Sequence, residues 1–244
     1  PSYFDIFLVD HERNKEIVWV VPNKADLGRE ANISFMNFAW PTSFNNHPRT
    51  GLEFCDGCRN FATMFRIRDE FWNSFDPNDT RKDLMLEEYV NNNGDTIDLR
   101  PPNDNVRPFK YWPAGDFAGP AYGNDFPAIR YADILLSRAE ALNELNGPTQ
   151  ESIDLINLVR DRAGVDDILL ADFGSKDALN DHILAERGWE LWWEDKRRED
   201  LIRHGKFIEL AVERGMPAQP HHVRFPIPLF ALDANPLLEQ NPQY

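Results

Sequence analysis

Two amphipathic helices joined by a very short turn constrain the fold of this chain more than any other part of its sequence. In the first helix, Ala132, Leu135, Ala139 and Leu142 recur every three to four positions and form an apolar stripe. Asn146-Gly147-Pro148 then ends the helix, because glycine and proline stop helical backbone. The second helix follows with almost no linker, so the pair is predicted to be antiparallel.

The second helix carries its own start and stop signals. Thr149 is a capping residue, Ile153, Ile156 and Val159 line one face, and Gly164 ends the helix. A single hairpin cannot bury its own apolar face, so further helices should pack on it, as in a tetratricopeptide-like solenoid. We therefore predict a mainly α fold with tetratricopeptide-like helical hairpins over residues 128–244.

A third helix, predicted from Ser175 to about His204, has charges where an apolar stripe should continue. The stripe begins with Leu179 and Ile183, and leucines and tryptophans cover the other sides of the helix. Charged side chains on a helix whose other sides are apolar should be buried and should form ion pairs inside the protein. The predicted ion-pair network consists of Glu186, Arg187, Glu190, Glu194 and Arg197.

Residues 1–127 lack helical periodicity and are predicted to be loop-rich, with short strands and one helix. Residues 16–21, from Glu16 to Val21, form a continuous β-branched and aromatic run, which indicates a short strand buried on both sides. Residues 61–75 have helical spacing, and the prolines of the last segment, 225–244, predict an extended strap without regular secondary structure. The two regions, 1–127 and 128–244, are expected to form one integrated domain.

Charge and composition exclude several classes of function. With 41 acidic and 26 basic residues the net charge is −15, which argues against nucleic acid and favours neutral over polyanionic sugars. No apolar run is long enough to span a bilayer. Cys55 and Cys58 form one isolated Cys-x-x-Cys, too few ligands for zinc, and are interpreted as a loop pair, free or bridged.

The carboxylates of the third helix raise an enzyme hypothesis. Glu186, Glu190 and Glu194 lie one turn apart, near the separation of the paired acids of glycoside hydrolases. Nearby arginines on the same helix (Arg187, Arg197, Arg198) would hold these groups ionised and unfit as general acids. We therefore favour the structural interpretation and expect no enzymatic activity.

Aromatic side chains crowd the loops of the first region, which we expect to bind the ligand. Rings in long loops often form buried satellite clusters. The alternative is a sugar-stacking platform, with neighbouring amides and arginine taking the hydroxyl groups. On that alternative the candidate glycan-binding residues are Trp40, Phe44, Asn45, Asn46, His47, Arg49, Trp112 and Tyr122.

Several segments, taken in order, resemble the motifs of the SusD/RagB family. They are Asp79-Thr-Arg81, the helix from Arg130 (RYADILLSRAEA), INLVRDRAG ending at Gly164, the run from Glu186 (ERGWELWWEDKRREDLIR), FPIPL from Phe225, Asn235-Pro, and QNPQY at the end. The family usually has glycine where this chain has Gln243. The resemblance covers most of the chain.

The resemblance implies a non-catalytic, lipid-anchored protein of the outer membrane, exposed at the cell surface. It would bind oligosaccharide or polysaccharide and deliver it to a TonB-dependent, SusC-like transporter. Its fold would be the SusD-like fold, with this chain as the C-terminal part and the N-terminal half absent. The helical motifs would be scaffold, with glycan contacts in variable loops.

Two alternatives from other classes stay open, an α-helical glycoside hydrolase and a helical-repeat adaptor that binds protein. No cofactor is expected, and a calcium ion among the loop aspartates is left open.

Overall fold

Short strands occupy the first half of the chain and helices the second. The computed structural model describes residues 2–8, 14–25, 35–54, 60, 64–113, 117, 118 and 121–244, with 117 and 118 as backbone alone. The strands are β1 (Ile17–Val21), β2 (Phe44–Asn46), β3 (Met85–Leu86), β4 (Glu88–Asn91), β5 (Thr96–Asp98), β6 (Arg107–Pro108), β7 (Phe117–Ala118), β8 (Ala121–Tyr122) and β9 (Phe126–Arg130). The helices are α1 (Asp69–Asn73), α2 (Tyr131–Asn146), α3 (Gln150–Ala163), α4 (Lys176–Glu190), α5 (Arg197–Arg203), α6 (Phe207–Glu213) and α7 (Leu229–Ala234).

The chain folds into two compact units, Pro1–Glu194 and Asp195–Tyr244. The first unit contains both the strands and the helices α1 to α4. The sequence division at 127/128 falls inside β9, and α2 begins three residues later, at Tyr131. The change from strand to helix therefore occurs within one compact unit, and the division of the chain into the two predicted regions stays a prediction.

The predicted hairpin is confirmed as α2 and α3. Thr149 and Ser152 form a capping box, in which each side chain accepts a hydrogen bond from the other residue's backbone N–H, at 3.2 and 3.1 Å. Gly164 ends α3 in the left-handed conformation, with φ 72°. The side chains of Leu179 and Ile183 on α4 complete the apolar core of the hairpin. The expected packing partner of the hairpin is therefore α4.

The prediction of one continuous third helix is wrong. Ser175 caps α4 as expected, but α4 ends at Glu190, and Trp193 and Asp195 have φ values of 63° and 58°. At this helix end, buried side-chain donors form the hydrogen bonds to backbone carbonyl groups that helical N–H groups would otherwise form. The Glu190 carbonyl accepts from the Tyr3 hydroxyl at 2.6 Å and from Lys110 Nζ at 3.1 Å. These tertiary bonds stabilise the break, which local periodicity cannot reveal.

Strand β1 exists, but the prediction that it is buried on both sides is wrong. Among the strands that the structure describes it pairs with β9 alone, in a two-stranded antiparallel sheet. Val18 and Trp19 are 61% and 60% exposed. The apolar run therefore leaves part of its surface uncovered in this unit.

The helix predicted over 61–75 is also wrong for most of its length. Residues 61–63 lie outside the described ranges, Ile67 forms a β-bridge with Val106, and the helical part shrinks to α1. The bridge replaces the helical hydrogen bonds of Ile67, because its N–H donates to the Val106 carbonyl at 2.7 Å. Apolar spacing alone did not distinguish this extended segment from a helix.

The proline-rich tail is pinned by its own polar side chains and contains the short helix α7, contrary to the prediction. Pro228 sits at the cap of α7, where its missing N–H costs no helical bond. Gln240 donates to the Ile227 carbonyl at 2.9 Å and accepts from the Ile227 N–H at 2.8 Å. Gln243, where the resembling family has glycine, adopts φ 76°, the left-handed region that glycine enters most readily.

A buried ion-pair network lies between the loop-rich part and the helices. Its five cations and five carboxylates balance, and its members are Arg81, Lys110, Arg130, Arg160 and Arg162 with Glu16, Asp79, Glu186, Glu190 and Glu194. Arg130 is at its centre, 2.8 Å from Glu190 Oε1 and 2.6 Å from Glu194 Oε2. Charges this deeply buried are tolerated when each is paired and hydrogen-bonded.

The cationic partners differ from those predicted. The helix carboxylates bind arginines and a lysine from other elements, because the chain leaves the helix at Glu190 and does not continue the predicted line. Arg187 instead pairs with Asp133, at 2.9 Å. Arg197 lies in the second compact unit, as the first residue of α5. Sequence spacing therefore located the acids but not their partners.

Removing the central cation should destabilise the fold strongly. Arg130→Met leaves Glu190 and Glu194 short of positive charge inside the protein, so we expect the free energy of unfolding to fall by about 3–5 kcal/mol. Arg138→Met is the matched control, since Arg138 pairs with Glu151 at the surface, and should cost less than about 1 kcal/mol. Urea unfolding measures both, and equal small losses would contradict the role of Arg130.

The network should also shape the response to acid. Burial alone would raise the pKa of Glu190, but Arg162, Arg130 and Arg81 outweigh it and lower the pKa from 4.5 to about 2. A lowered pKa contributes stability that is complete above pH 4.5 and is lost as the pH falls through about 2. Glu190→Gln should therefore flatten the slope of unfolding free energy against pH in that window. An unchanged slope in a folded variant would contradict the assignment.

Candidate functional site

The indole of Trp40 is the centre of an aromatic core and not a surface platform. It is fully buried and lies edge to face with Phe44, Phe54 and Phe109, at centroid distances of 4.8, 5.0 and 4.9 Å. Its Nε1 donates to the Tyr122 hydroxyl at 2.8 Å, and burial raises the pKa of Tyr122 to about 12. Neither ring can stack on a sugar, so this part of the prediction is corrected.

Trp112 and His47 are buried beside this core. Trp112 packs against Phe4 and Phe109, and the ring of His47 lies 5.5 Å from it. His47 Nδ1 accepts from the backbone N–H groups of Arg49 and Thr50, which makes it a turn residue. Burial, and next the charge of Arg49, lower the pKa of His47. Both residues are therefore structural, and their predicted contact with a glycan is corrected.

A cleft of about 410 Å³ opens where the aromatic core reaches the surface. Its lining combines two phenylalanine rings with uncharged polar groups and one carboxylate, and consists of Pro41, Thr42, Phe44, Asn45, Glu53, Phe54, Asn60 and Asn92. Thr42, Asn45, Glu53 and Asn92 are exposed, and their side chains form no hydrogen bond within the part of the chain that the structure describes. These side chains are therefore available to form hydrogen bonds with a bound molecule.

Strand pairing positions the polar rim of this cleft. The three-stranded sheet β2-β4-β5 pairs Phe44 with Asn91, so that Phe44 is buried and the next side chain, Asn45, is exposed. Directly after β4, the Asn92 N–H donates to the Ser43 carbonyl at 3.0 Å. Two amides are thereby brought to one cleft from separate strands.

Phe54 supplies the partly exposed ring of the cleft. It is half-buried, and its ring stands at 87° to the indole of Trp40. Phe54 is an aromatic residue of the loop-rich region 1–127, but it is not among the glycan-binding candidates predicted from the sequence. Glu53, Asn60 and Asn92 were also missed, because nothing in irregular sequence marks which side chain faces outward.

Two of the predicted glycan-binding residues, Asn46 and Arg49, do not line this cleft. Asn46 is half-buried at the end of β2 and is not among the residues lining the cleft. Arg49 lines a second cleft, where it lies 3.6 Å from Asp83. Cys55 and Cys58 fall outside the described residues.

The helix carboxylates do not form a hydrolytic pair. Glu186, Glu190 and Glu194 are at most 1% exposed, and each lies within ion-pair distance of two or more cations. A general acid needs a raised pKa and access to its substrate, and here the pKa of Glu190 is lowered to about 2. The hydrolase alternative thus loses the residues on which it was built.

Among the described residues no group of three or more His, Cys, Asp or Glu side chains is placed to hold a metal ion. Within the same ranges, every helix is too short or too polar to cross a bilayer.

Substitution distinguishes core rings from exposed ones. Trp40→Ala removes a fully buried indole, so we expect the free energy of unfolding to fall by about 3–5 kcal/mol. The control Trp19→Ala removes an indole that is 60% exposed and should cost less than about 1 kcal/mol. Urea unfolding measures both, and a Trp40→Ala loss no larger than the control would contradict the placement of Trp40.

The chain matches known proteins over its whole length. A sequence profile of the SusD family matches residues 119–244. SusD-like protein P25 of Formosa agariphila is 29% identical over 273 residues, covering 97% of this chain and 50% of the relative. The chain spans about half the length of that curated relative.

Two solved structures share the fold. A SusD superfamily protein from Parabacteroides distasonis superposes with a TM-score of 0.75 at 23% identity, covering 100% of this chain and 53% of that one. Surface glycan-binding protein A from Bacteroides thetaiotaomicron, in complex with laminarihexaose, gives a TM-score of 0.71 at 22% identity, covering 99% and 55%. The mainly helical SusD-like fold expected from the motifs is thereby confirmed, and the chain belongs to the SusD family.

Proposed function

We propose that this protein binds oligosaccharide or polysaccharide, without catalysis, in the cleft between Asn45, Phe54 and Asn92. The observation that carries the proposal is a set of exposed polar side chains that have no hydrogen-bond partner among the described residues, beside a half-buried ring in a SusD-family fold. The volume of the cleft, about 410 Å³, is typical of small-molecule sites.

The chemistry of the cleft suits a sugar. Amide side chains both donate and accept, and a carboxylate such as Glu53 accepts only, so together they match the hydroxyl groups of a pyranose. The apolar face of the sugar would pack on Phe54, which Trp40 holds from behind. One structural neighbour, surface glycan-binding protein A from Bacteroides thetaiotaomicron, is in complex with laminarihexaose.

Family membership supports a proposal for the cellular role. We propose that the protein acts at the cell surface, anchored to the outer membrane by an N-terminal lipid, and passes glycan to a TonB-dependent, SusC-like transporter. The family match and the glycan-binding neighbour support this role. A glycan-binding cleft without a reactive carboxylate pair suits capture and delivery better than cleavage.

A glycan panel tests the proposal. Affinity electrophoresis against laminarin, amylopectin, alginate and carrageenan identifies a binding polysaccharide, and calorimetry with its oligosaccharides gives the affinity. Asn45→Ala and Phe54→Ala should each weaken binding about tenfold or more, because each removes a buried contact or hydrogen bond to the ligand.

Controls separate binding from folding. Asn92→Ala is a second exposed variant of the cleft, and Trp19→Ala removes an exposed ring outside its lining. We expect Asn92→Ala to weaken binding and Trp19→Ala to leave it unchanged, with thermal unfolding checked for all variants. Absence of binding to every polysaccharide, or loss of binding in Trp19→Ala alone, would overturn the proposal.

A further inference from the structure

A second cleft, of about 380 Å³, lies near the other end of strand β4. Asn92 follows β4 and lines the first cleft, whereas Glu87 precedes β4 and lines the second. Five residues of extended strand separate the two positions by roughly 16 Å. The second cleft is therefore a distinct site on the same sheet.

An ordered indole forms part of this second cleft. Trp72 of α1 is half-buried, and its Nε1 donates to Glu87 Oε1 at 3.0 Å. The ammonium group of Lys82 lies 3.5 Å from the centroid of the same ring. Such a cation–π contact holds the lysine at the cleft without neutralising its charge.

The carboxylates of the cleft are engaged by other groups. Asp79 accepts from Arg81 at 2.7 Å, in the buried network. Glu87 accepts from the Trp72 indole, and Asp83 lies 3.6 Å from Arg49, with both side chains more than half exposed. Each acid thus has a partner other than Lys82.

Lys82 is left without an acidic partner. Among the described residues no carboxylate oxygen lies within the 4.0 Å of an ion pair to its ammonium group. The group is half-buried, and burial lowers its pKa, although the charges of Glu87 and Asp79 oppose that shift. A partly desolvated cation with three donors and no acceptor is suited to an anionic ligand.

We infer that the second cleft binds an anionic sugar unit, whose carboxylate or sulfate ester contacts Lys82 and the exposed guanidinium of Arg49, with the sugar ring beside Trp72. The inference rests on the proposed glycan-binding function and narrows its ligand class. The overall charge of −15 disfavours a densely charged polyanion. A glycan with charged units spaced among neutral ones fits both clefts.

Calorimetry with defined oligosaccharides tests the inference. The probes are laminarihexaose as the neutral arm, a glucuronoxylan oligosaccharide with one uronate among neutral xylose units as the carboxylate arm, and a κ-carrageenan oligosaccharide with one sulfate ester per disaccharide as the sulfate arm. We expect one anionic probe to bind, and its affinity to fall on raising the salt from about 0.05 M to about 0.5 M. Which anionic probe binds identifies the source of the charge.

Variants assign the binding to this cleft. Lys82→Gln should weaken the anionic probe about tenfold or more, because it removes a charge-assisted hydrogen bond. Lys24→Gln, which removes the same charge from an exposed lysine, should leave it unchanged. If Lys82→Gln lowers the unfolding temperature, the affinity for the anionic probe is measured instead with Trp72→Phe, a second variant of the cleft that keeps a ring in place.

The outcomes separate this inference from the proposed function. The inference would be overturned if neither anionic probe bound, or if folded wild type and Lys82→Gln bound the anionic probe equally well. The proposed function would still stand in that case, provided that binding of laminarihexaose or another neutral glycan depended on Asn45. Anionic binding that depends on Lys82 but not on Asn45 would support the second cleft. The first cleft would be overturned separately, if no neutral glycan bound in a way that depends on Asn45.

Discussion

The contact between Arg130 and the carboxylates of Glu190 and Glu194 is the constraint on which the rest of the first unit depends. Arg130 is the last residue of β9 and directly precedes the hairpin, and Glu190 is the last residue of α4. One guanidinium therefore joins the β1–β9 sheet, the α2–α3 hairpin and α4. Desolvating these charges costs several kcal/mol per ion, which their mutual attraction offsets only in good geometry. The balanced set of five cations and five carboxylates meets that condition.

The network extends toward the candidate cleft through Lys110. Its ammonium group donates to Glu194 and to the carbonyls of Glu190 and Trp192, which ends α4 and fixes the segment that follows. Phe109, the preceding residue, packs against Trp40. Trp40 in turn supports Phe54 at the cleft. Packed side chains thus connect the rim of the cleft to the buried charges.

Local signals decided which elements could be predicted from the sequence. The hairpin α2–α3 was predictable because apolar spacing, the cap at Thr149 and the stop at Gly164 all act within one helix. The break after Glu190 was not, since it depends on Tyr3 and Lys110, which are distant in sequence. For the same reason, periodicity located the buried acids but assigned them arginines of their own helix.

The candidate site was the least predictable part. Irregular segments have no fixed alternation of buried and exposed residues, so composition could not distinguish the two rings, and Trp40 was predicted as a candidate whereas Phe54 was not. Tertiary packing buries Trp40 completely and leaves Phe54 half-exposed. Amides such as Asn92 become recognisable only when strand pairing brings them beside Asn45.

Hydrogen–deuterium exchange with and without a bound polysaccharide tests the central claim most directly, because it reports ligand contact and scaffold stability together. We predict slower exchange on binding in peptides that contain Asn45, Phe54 and Asn92, and unchanged, strongly protected exchange in α4. Protection confined to α4 and the segment ending at Glu194, with none at the cleft, would contradict the division into a buried ionic scaffold and a loop-borne binding site.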